Sequence, residues 1–301
     1  MGYFKKMNHL DKKILFLTTL FFSNLITWSI IFDLSQVKFL KVNFFDIGQG
    51  DAIFIETPQS HQILIDGGPT SIILEKLGRE MPFWDRTLDL IILTHPEHDH
   101  MAGLIEVLKR YKVENILWTG ILGDTAEYQE WQRMIEKEKD QGAKIHMAKS
   151  GQKITSSTQP GNVVLEVLFP FEGLEGQEIK NSNDTSIVTK LSFGQNSFLF
   201  TGDIYKSGER KLIESGVALN SEIFKVAHHG SKTSTSEEFI KEVNPEIAVI
   251  LVGKDNSYGH PHQEVLDILS KYGINILRTD LEGDIKIISD GINYGISNFQ
   301  N

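Results

Sequence analysis

Cysteine is absent from the 301 residues, which excludes disulfides, thiolate nucleophiles and cysteine-ligated zinc. Any metal ligand must be His, Asp or Glu. Basic charge is short as well: 30 Lys and Arg stand against 40 Asp and Glu, a formal net charge of −10. No global positive field draws in nucleic acid, so a polyanion site must be local. Proline is scarce at 8 residues, and no Gly/Ser/Pro-rich stretch cuts the chain. The length then reads as an N-terminal segment, 1–36, followed by one catalytic domain over 37–301.

The N-terminal segment carries Lys5, Lys6, Lys12 and Lys13 ahead of an uncharged stretch over residues 14–32. As a helix that stretch is about 28 Å long, near the apolar thickness of a bilayer. The expectation is a single-pass cell-membrane anchor, with the lysines cytoplasmic and the catalytic domain outside. A cleaved signal peptide leading to secretion competes with it, although no Ala precedes Ala52 and Thr27-Trp28-Ser29 makes a poor cleavage site. A soluble core helix is the third reading.

Strand-like runs at 38–45, 52–56 and 62–65 form a meander, broken by Gly48-Gln49-Gly50 and Pro58-Gln59-Ser60. A buried-strand pattern follows at 88–93, and helical patterning at 71–80, 103–111 and 126–139. The second half reads as strands at 163–168, 185–193, 197–200, 222–226, 247–252, 274–278, 284–288 and 293–296, with helices at 205–215, 237–243 and 263–272. Two sheets covered by helices, a four-layer αβ/βα sandwich, fit this order.

The densest chemistry is Thr94-His95-Pro96-Glu97-His98-Asp99-His100, directly after a strand pattern. Clustered imidazoles and carboxylates are costly to hold together unless a cation neutralises them. Seven of the ten histidines fall in three places: His95, His98 and His100; His228 and His229; His260 and His262. Each cluster follows a strand-like segment, where layered α/β folds gather their sites. Asp66 ends an apolar strand before two glycines, and Asp203 repeats that logic in Thr201-Gly202-Asp203. Taken alone, each serves equally as a turn or cap carboxylate. Asp46, Gln49 and Asp51 read as a structural turn at the cleft border.

Asp66-Gly67-Gly68, the His95–His100 run, Thr201-Gly202-Asp203 and a late strand-end histidine together resemble the metallo-β-lactamase superfamily of dinuclear metallohydrolases. Phe45-Asp46-Ile47-Gly48-Gln49-Gly50-Asp51-Ala52, Val226-Ala227-His228-His229-Gly230-Ser231 and Tyr258-Gly259-His260-Pro261-His262 bring the likeness closer to one branch. They resemble the C-terminal metallo-β-lactamase-like domain of the competence protein ComEC. The resemblance runs over residues 41–278 and leaves out that family's multi-span DNA channel, so a separate DNA-channel protein is an implied partner. It implies that His95 and Glu97 hold one metal, that Asp99 and His100 hold the second, and that Asp203 bridges them. His228 becomes the late histidine ligand with His229 as fallback, and Asp66 and Asn183 are candidate ligands or supports. His98 points elsewhere.

Two departures from the pattern stand out. Glu97 occupies a usual histidine position, and the loop Asn181-Ser182-Asn183-Asp184-Thr185-Ser186 replaces the middle histidine. Fewer imidazoles and more oxygens favour Mn²⁺ over Zn²⁺, with Mg²⁺ also open. Two divalent ions activate water for attack on a phosphoryl centre, with Asp99 essential and no side-chain nucleophile required. His260 and His262 stand ready to protonate a leaving oxygen or contact phosphate, unless they are plain surface-turn histidines. Ser231, Lys232, Thr233 and Ser234 offer hydroxyls and a cation to a phosphate backbone, Lys232 also being a candidate catalytic group. A helix cap and solvated loop is the simpler reading of that run.

The expected function is thus a membrane-anchored, metal-dependent nuclease or phosphodiesterase acting on DNA, linked to DNA uptake. Hydrolysis of a small ester, lactone or phosphodiester is the alternative enzyme, and a non-catalytic binding protein keeping the fold is the alternative of another class.

Overall fold

A computed structural model describes residues 8–35, 39–156 and 162–298. Lys5, Lys6, Val37 and Lys38, on which the basic tail, the domain start and the first strand start were placed, lie outside the described residues. The chain divides into two compact units, 1–38 and 39–301.

The first unit holds helix α1 (His9–Ser35). Residues 14–32 include Thr18, Thr19, Ser23, Asn24, Thr27 and Ser29, and Thr18 and Thr19 donate to the Leu15 carbonyl while Ser23 and Asn24 donate to that of Leu20. Among the described residues no helix is long and apolar enough to cross a membrane. That overturns the expected single-pass anchor, and with it the outward placement of the catalytic unit.

The second unit opens with β1 (Leu40–Phe44), β2 (Ile53–Glu56), β3 (Gln62–Ile65), α2 (Ile72–Glu80), β4 (Thr87–Ile92) and α3 (His98–Leu108). It continues with β5 (Lys112–Trp118), α4 (Ala126–Asp140), β6 (Lys144–Met147), β7 (Lys153–Thr155), β8 (Val163–Phe169), β9 (Val188–Phe193) and β10 (Asn196–Phe200). Then follow α5 (Lys206–Ser215), β11 (Ile223–Lys225), α6 (Glu237–Val243), β12 (Ile247–Ile250), α7 (Gln263–Lys271), β13 (Asn275–Arg278), α8 (Thr279–Glu282), β14 (Ile285–Ser289) and β15 (Tyr294–Asn298).

One sheet runs β15-β14-β1-β2-β3-β4-β5-β6 and the other β13-β12-β11-β10-β9-β8-β7. Strand alternation explains the layering, because successive side chains leave opposite faces. Val42, Ile53, Ile55, Ile63, Ile65, Phe198, Phe200, Ile247 and Val249 meet in one core between the sheets. Phe54, Leu64 and Ile91 face the other way onto α2, α3 and α4, through Leu77, Leu104 and Trp131. Leu199, Phe224 and Ala248 do the same onto α5, α6 and α7, through Leu212, Phe239 and Leu269. The result is helices, sheet, sheet, helices, as the sequence leads one to expect.

Strands β3, β4 and β5 run parallel, as do β10, β11 and β12. Their C-terminal ends therefore share one rim in each sheet. Antiparallel β2 starts at the rim where β3 ends, since Ile53 pairs with Ile65. The loops after β3, β4, β10 and β11, and the one before β2, bring their polar residues together.

Candidate metal centre

The turn after β3 sets the geometry. Asp66 is fully buried in a left-handed conformation, φ 57°, and its amide donates to the Ile92 carbonyl at the end of β4. The Gly103 amide donates to the Gly68 carbonyl at 2.8 Å. A Cβ on Gly103 would collide with the Gly67 carbonyl oxygen, so glycine is required for α3 to start against this turn. The contact sets the first turn of α3, with Asp99 and His100, over Asp66.

Asp66 then orients two imidazoles. Its Oδ2 lies 2.8 Å from His100 Nδ1 and accepts the Thr94 hydroxyl at 2.6 Å. Thr94 Oγ1 is 3.0 Å from His95 Nδ1. With the hydroxyl proton given to the carboxylate, Thr94 accepts from His95, and both rings keep Nε2 free to face inward. A third ring, His229, donates from Nδ1 to the Leu251 carbonyl at 2.8 Å. The Nε2 atoms of His95, His100 and His229 are all buried without a hydrogen-bond partner.

Carboxylates surround these nitrogens. Asp203 Oδ2 stands 3.4 Å from His100 Nε2 and 3.3 Å from His229 Nε2, and Asp99 Oδ2 is 3.2 Å from the latter. Side-chain donor atoms within 4.8 Å of one another form four groups: His95, His100 and Asp203; Asp99, His100 and His229; Asp51, Asp203 and His229; Asp51, Asp66 and His100. Glycine again makes the approach possible, since a Cβ on Gly50 would collide with the Asp99 carbonyl oxygen that accepts from the Asp51 amide.

The electrostatics follow from burial and proximity. Burial works against charge on Asp203, yet His229, His100 and Lys225 hold its carboxyl well below the usual range. Burial opposes charge on His100 and His229 too, but the Asp203 carboxylate, joined by Asp66 for the first and Asp51 for the second, pushes both well upward. His95 is pushed down to about 3, by burial first and the neighbouring His100 second. Without cations, then, the carboxylates favour protons on His100 and His229, while His95 stays neutral. Three inward nitrogens and Asp51 Oδ1, buried without hydrogen-bond partners beside the carboxylates of Asp99 and Asp203, fit divalent ions that would replace those protons.

The structure gathers His95, Asp99, His100 and Asp203, with Asp66 behind them, and places two other expected ligands outside these groups. Glu97 does not join. It sits at the N-cap of α3 in an extended conformation, is exposed, and accepts from the Ser182 hydroxyl. His229, the fallback, points into the cluster, while His228 sits half-buried at its edge with Nε2 3.9 Å from Asp203 Oδ2. Its Nδ1 is 3.0 Å from Thr233 Oγ1 and its ring stacks on Tyr205. The two neighbours diverge because both are left-handed, with φ of 50° and 54°, each at an expected cost of about 1–2 kcal/mol. Asn183 is buried in the turn Ser182–Thr185, where its carbonyl accepts from the Ser186 amide. His98 pairs with Glu127 at the surface.

His228, His260 and His262 form a chain of rings, centroids 5.6 and 5.0 Å apart, and Tyr258 stacks on His260. Burial and then His229 push His260 down to about 4, so it is neutral at pH 7. His262 Nδ1 is the acceptor, at 3.4 Å, for the Lys232 amide. Lys232 and Thr233 are exposed. Ser234, expected to offer its hydroxyl to phosphate, is buried and donates it to the backbone carbonyls of Ala227 and Ser231.

Two residues were missed. Asp51, read as a turn residue, is buried in the cluster. Lys225 is buried beside it, paired with Asp51 Oδ2 and 3.4 Å from Asp203 Oδ1. The signal was present: a lysine in the apolar run Ile223-Phe224-Lys225-Val226-Ala227 is almost never fully buried unless paired.

Comparison with known proteins agrees with this geometry. Residues 45–254 match the family model described as the metallo-beta-lactamase superfamily. The chain is 33% identical over 264 residues to ComE operon protein 3 of Bacillus subtilis, covering 82% of this chain and 32% of that protein. It is 30% identical to competence protein ComA of Neisseria gonorrhoeae, covering 81% and 32% respectively. The chain thus spans about a third of the length of these relatives. Among solved structures, Igni18, a metallo hydrolase from Ignicoccus hospitalis, shares the fold at TM-score 0.50 and 15% identity, covering 82% of this chain and 98% of that one. CmlA, a diiron beta-hydroxylase from Streptomyces venezuelae, does so at TM-score 0.51 and 13% identity, covering 83% and 54%. The chain belongs to the metallo-β-lactamase superfamily, whose members are typically metal-dependent hydrolases.

Proposed function

We propose that this superfamily member is a divalent-metal-dependent phosphodiesterase that cuts DNA. One observation carries the hydrolytic reading: the unpartnered, buried Nε2 atoms of His95, His100 and His229 converge beside the carboxylates of Asp99 and Asp203. Buried polar atoms are seldom left unmatched in a native protein. His95, Asp99, His100, Asp203 and His229 would hold the ions. Mn²⁺ or Mg²⁺ suits their oxygen content, and Zn²⁺ their imidazoles. Bound divalent ions activate water and offset charge on phosphoryl oxygens.

The remaining work falls to the chain's own side chains. Asp99, whose side chain is 32% exposed, is the carboxylate at the mouth. With Nδ1 accepting from Lys232, His262 keeps its proton on Nε2, from which it can donate to a leaving oxygen. His260, neutral at pH 7, positions rather than protonates. Lys232 supplies a cation and Thr233 an exposed hydroxyl for phosphate, and Tyr258, 66% exposed, offers a face on which a base can stack.

DNA is supported as substrate by the relatives, which are named for competence and, in Haemophilus influenzae, as recombination protein 2. A role in DNA uptake alongside a separate channel protein belongs to the same proposal. The net charge of −10 favours a second reading, hydrolysis of a small ester or lactone, because a polyanion gains little from an acidic surface.

The test incubates the purified chain with linear DNA, circular DNA, and generic ester and lactone substrates, under Mn²⁺, Mg²⁺ or Zn²⁺, with Asp203→Asn as control. DNA cleavage that the control lacks is expected, and nicked circles would identify an endonuclease. Ester turnover without phosphodiester cleavage under any ion would establish the second reading instead.

A further inference from the structure

Strand alternation turns Lys225, the last residue of β11, toward the space between the sheets, on the same face as Ile223. Its ammonium is fully buried, and an isolated charge there would be costly. Three contacts hold it: Asp51 Oδ2, Asp203 Oδ1 at 3.4 Å, and the Gly202 carbonyl, to which it donates at 2.8 Å.

Each carboxylate is thereby divided. Asp203 gives Oδ1 to Lys225 and turns Oδ2 to the Nε2 atoms of His100 and His229. Asp51 gives Oδ2 to Lys225 and keeps Oδ1 3.4 Å from His229 Nδ1. Four carboxylates, Asp51, Asp66, Asp99 and Asp203, share this cluster with one ammonium, which touches Asp51 and Asp203. With the rings neutral, three negative charges remain, more than one divalent ion balances.

We infer that Lys225 is a positioning residue of the metal centre, acting through Asp51 and Asp203, so that one oxygen of Asp203 faces the ions. This rests on the metal-centre reading above. Lysine suits the task because its ammonium is a compact charge that meets two carboxylates and a carbonyl at once. Its removal takes away the contact that holds Asp203 Oδ1 and the nearest counter-charge of Asp51.

The test strips the purified full chain of metal and titrates it with Mn²⁺, following free Mn²⁺ by electron paramagnetic resonance and melting by calorimetry. Lys225→Met is expected to weaken binding of at least one ion tenfold or more, and to shrink the rise in Tm on loading. Asp51→Asn, close in shape and leaving Lys225 paired with Asp203, is expected to weaken binding in the same direction. It decides the matter if Lys225→Met does not fold. A purely structural lysine would lower the apo and loaded Tm equally and leave affinity unchanged. Unchanged or tighter binding in folded Lys225→Met, or in Asp51→Asn should the former not fold, overturns the inference alone. A wild-type chain that binds no Mn²⁺, Mg²⁺ or Zn²⁺ sinks the metal reading and this one with it.

Discussion

Asp66 Oδ2 lies 2.8 Å from His100 Nδ1, and neither side chain has solvent exposure. The pair fixes which nitrogen of His100 carries the proton and so which one can meet a cation. Asp66→Asn offers that ring a donor or a weaker acceptor instead of a carboxylate. Such supporting partners are typically worth about 10- to 100-fold in metal affinity. A loss of that size in a Mn²⁺ titration is expected, with wild-type circular dichroism.

Glu97 gives the opposite result. Its carboxylate is engaged by Ser182 at the surface, outside the groups of converging donors. Glu97→Gln should change Mn²⁺ affinity by less than about tenfold, or 1.4 kcal/mol. A larger loss by isothermal calorimetry would mean that the side chain swings inward on loading.

Stability and metal uptake should respond to pH with opposite signs. His100 and His229 have folded values pushed well above the ordinary one, near 6.5, about where the unfolded chain titrates. In the apo protein their contribution is complete below about 6.5 and drains away as pH rises through the folded values. Ion binding must displace these same protons, so affinity climbs over that interval. Scanning calorimetry from about pH 6 upward should show apo Tm falling and the gap to the loaded Tm widening. Parallel curves would mean that the protons are not displaced.

Gly103 carries a mechanical prediction. A methyl group there meets the Gly67 carbonyl oxygen and lifts α3 from the Asp66 turn. Gly103→Ala should lose about 1–3 kcal/mol or more in urea unfolding, the usual range for overpacking, and weaken Mn²⁺ binding as Asp99 and His100 shift. Stability lost without affinity lost would detach the helix start from the centre.

Most of the architecture was legible because buried strands and amphipathic helices alternate clearly, from β1 to α7. The strands β5, β6 and β7 were not. Lys112-Val113-Glu114-Asn115 opens β5 with charge, and β6 and β7 are short with half-exposed patterns. Helix α3 starts at His98, ahead of the expected start at Gly103, because ligand residues fill its first turn where apolar periodicity would have announced it. The clustering of His95, Asp99, His100 and Asp203 was visible in their motifs. The choice between His228 and His229 was not, since it depends on two successive left-handed residues. Asp51 and Lys225 meet across β2 and β11, a pairing that only the docking of the two sheets creates.

The proposed ligands are divided between two platforms: His95, Asp99 and His100 follow β4 in one sheet, while Asp203 and His229 follow β10 and β11 in the other. A cation gripped by both would rivet the halves of the sandwich at this rim. Chelation would then do more than silence an enzyme. It would unfasten the seam, and a protease should find its first foothold in the loosened loops around that edge.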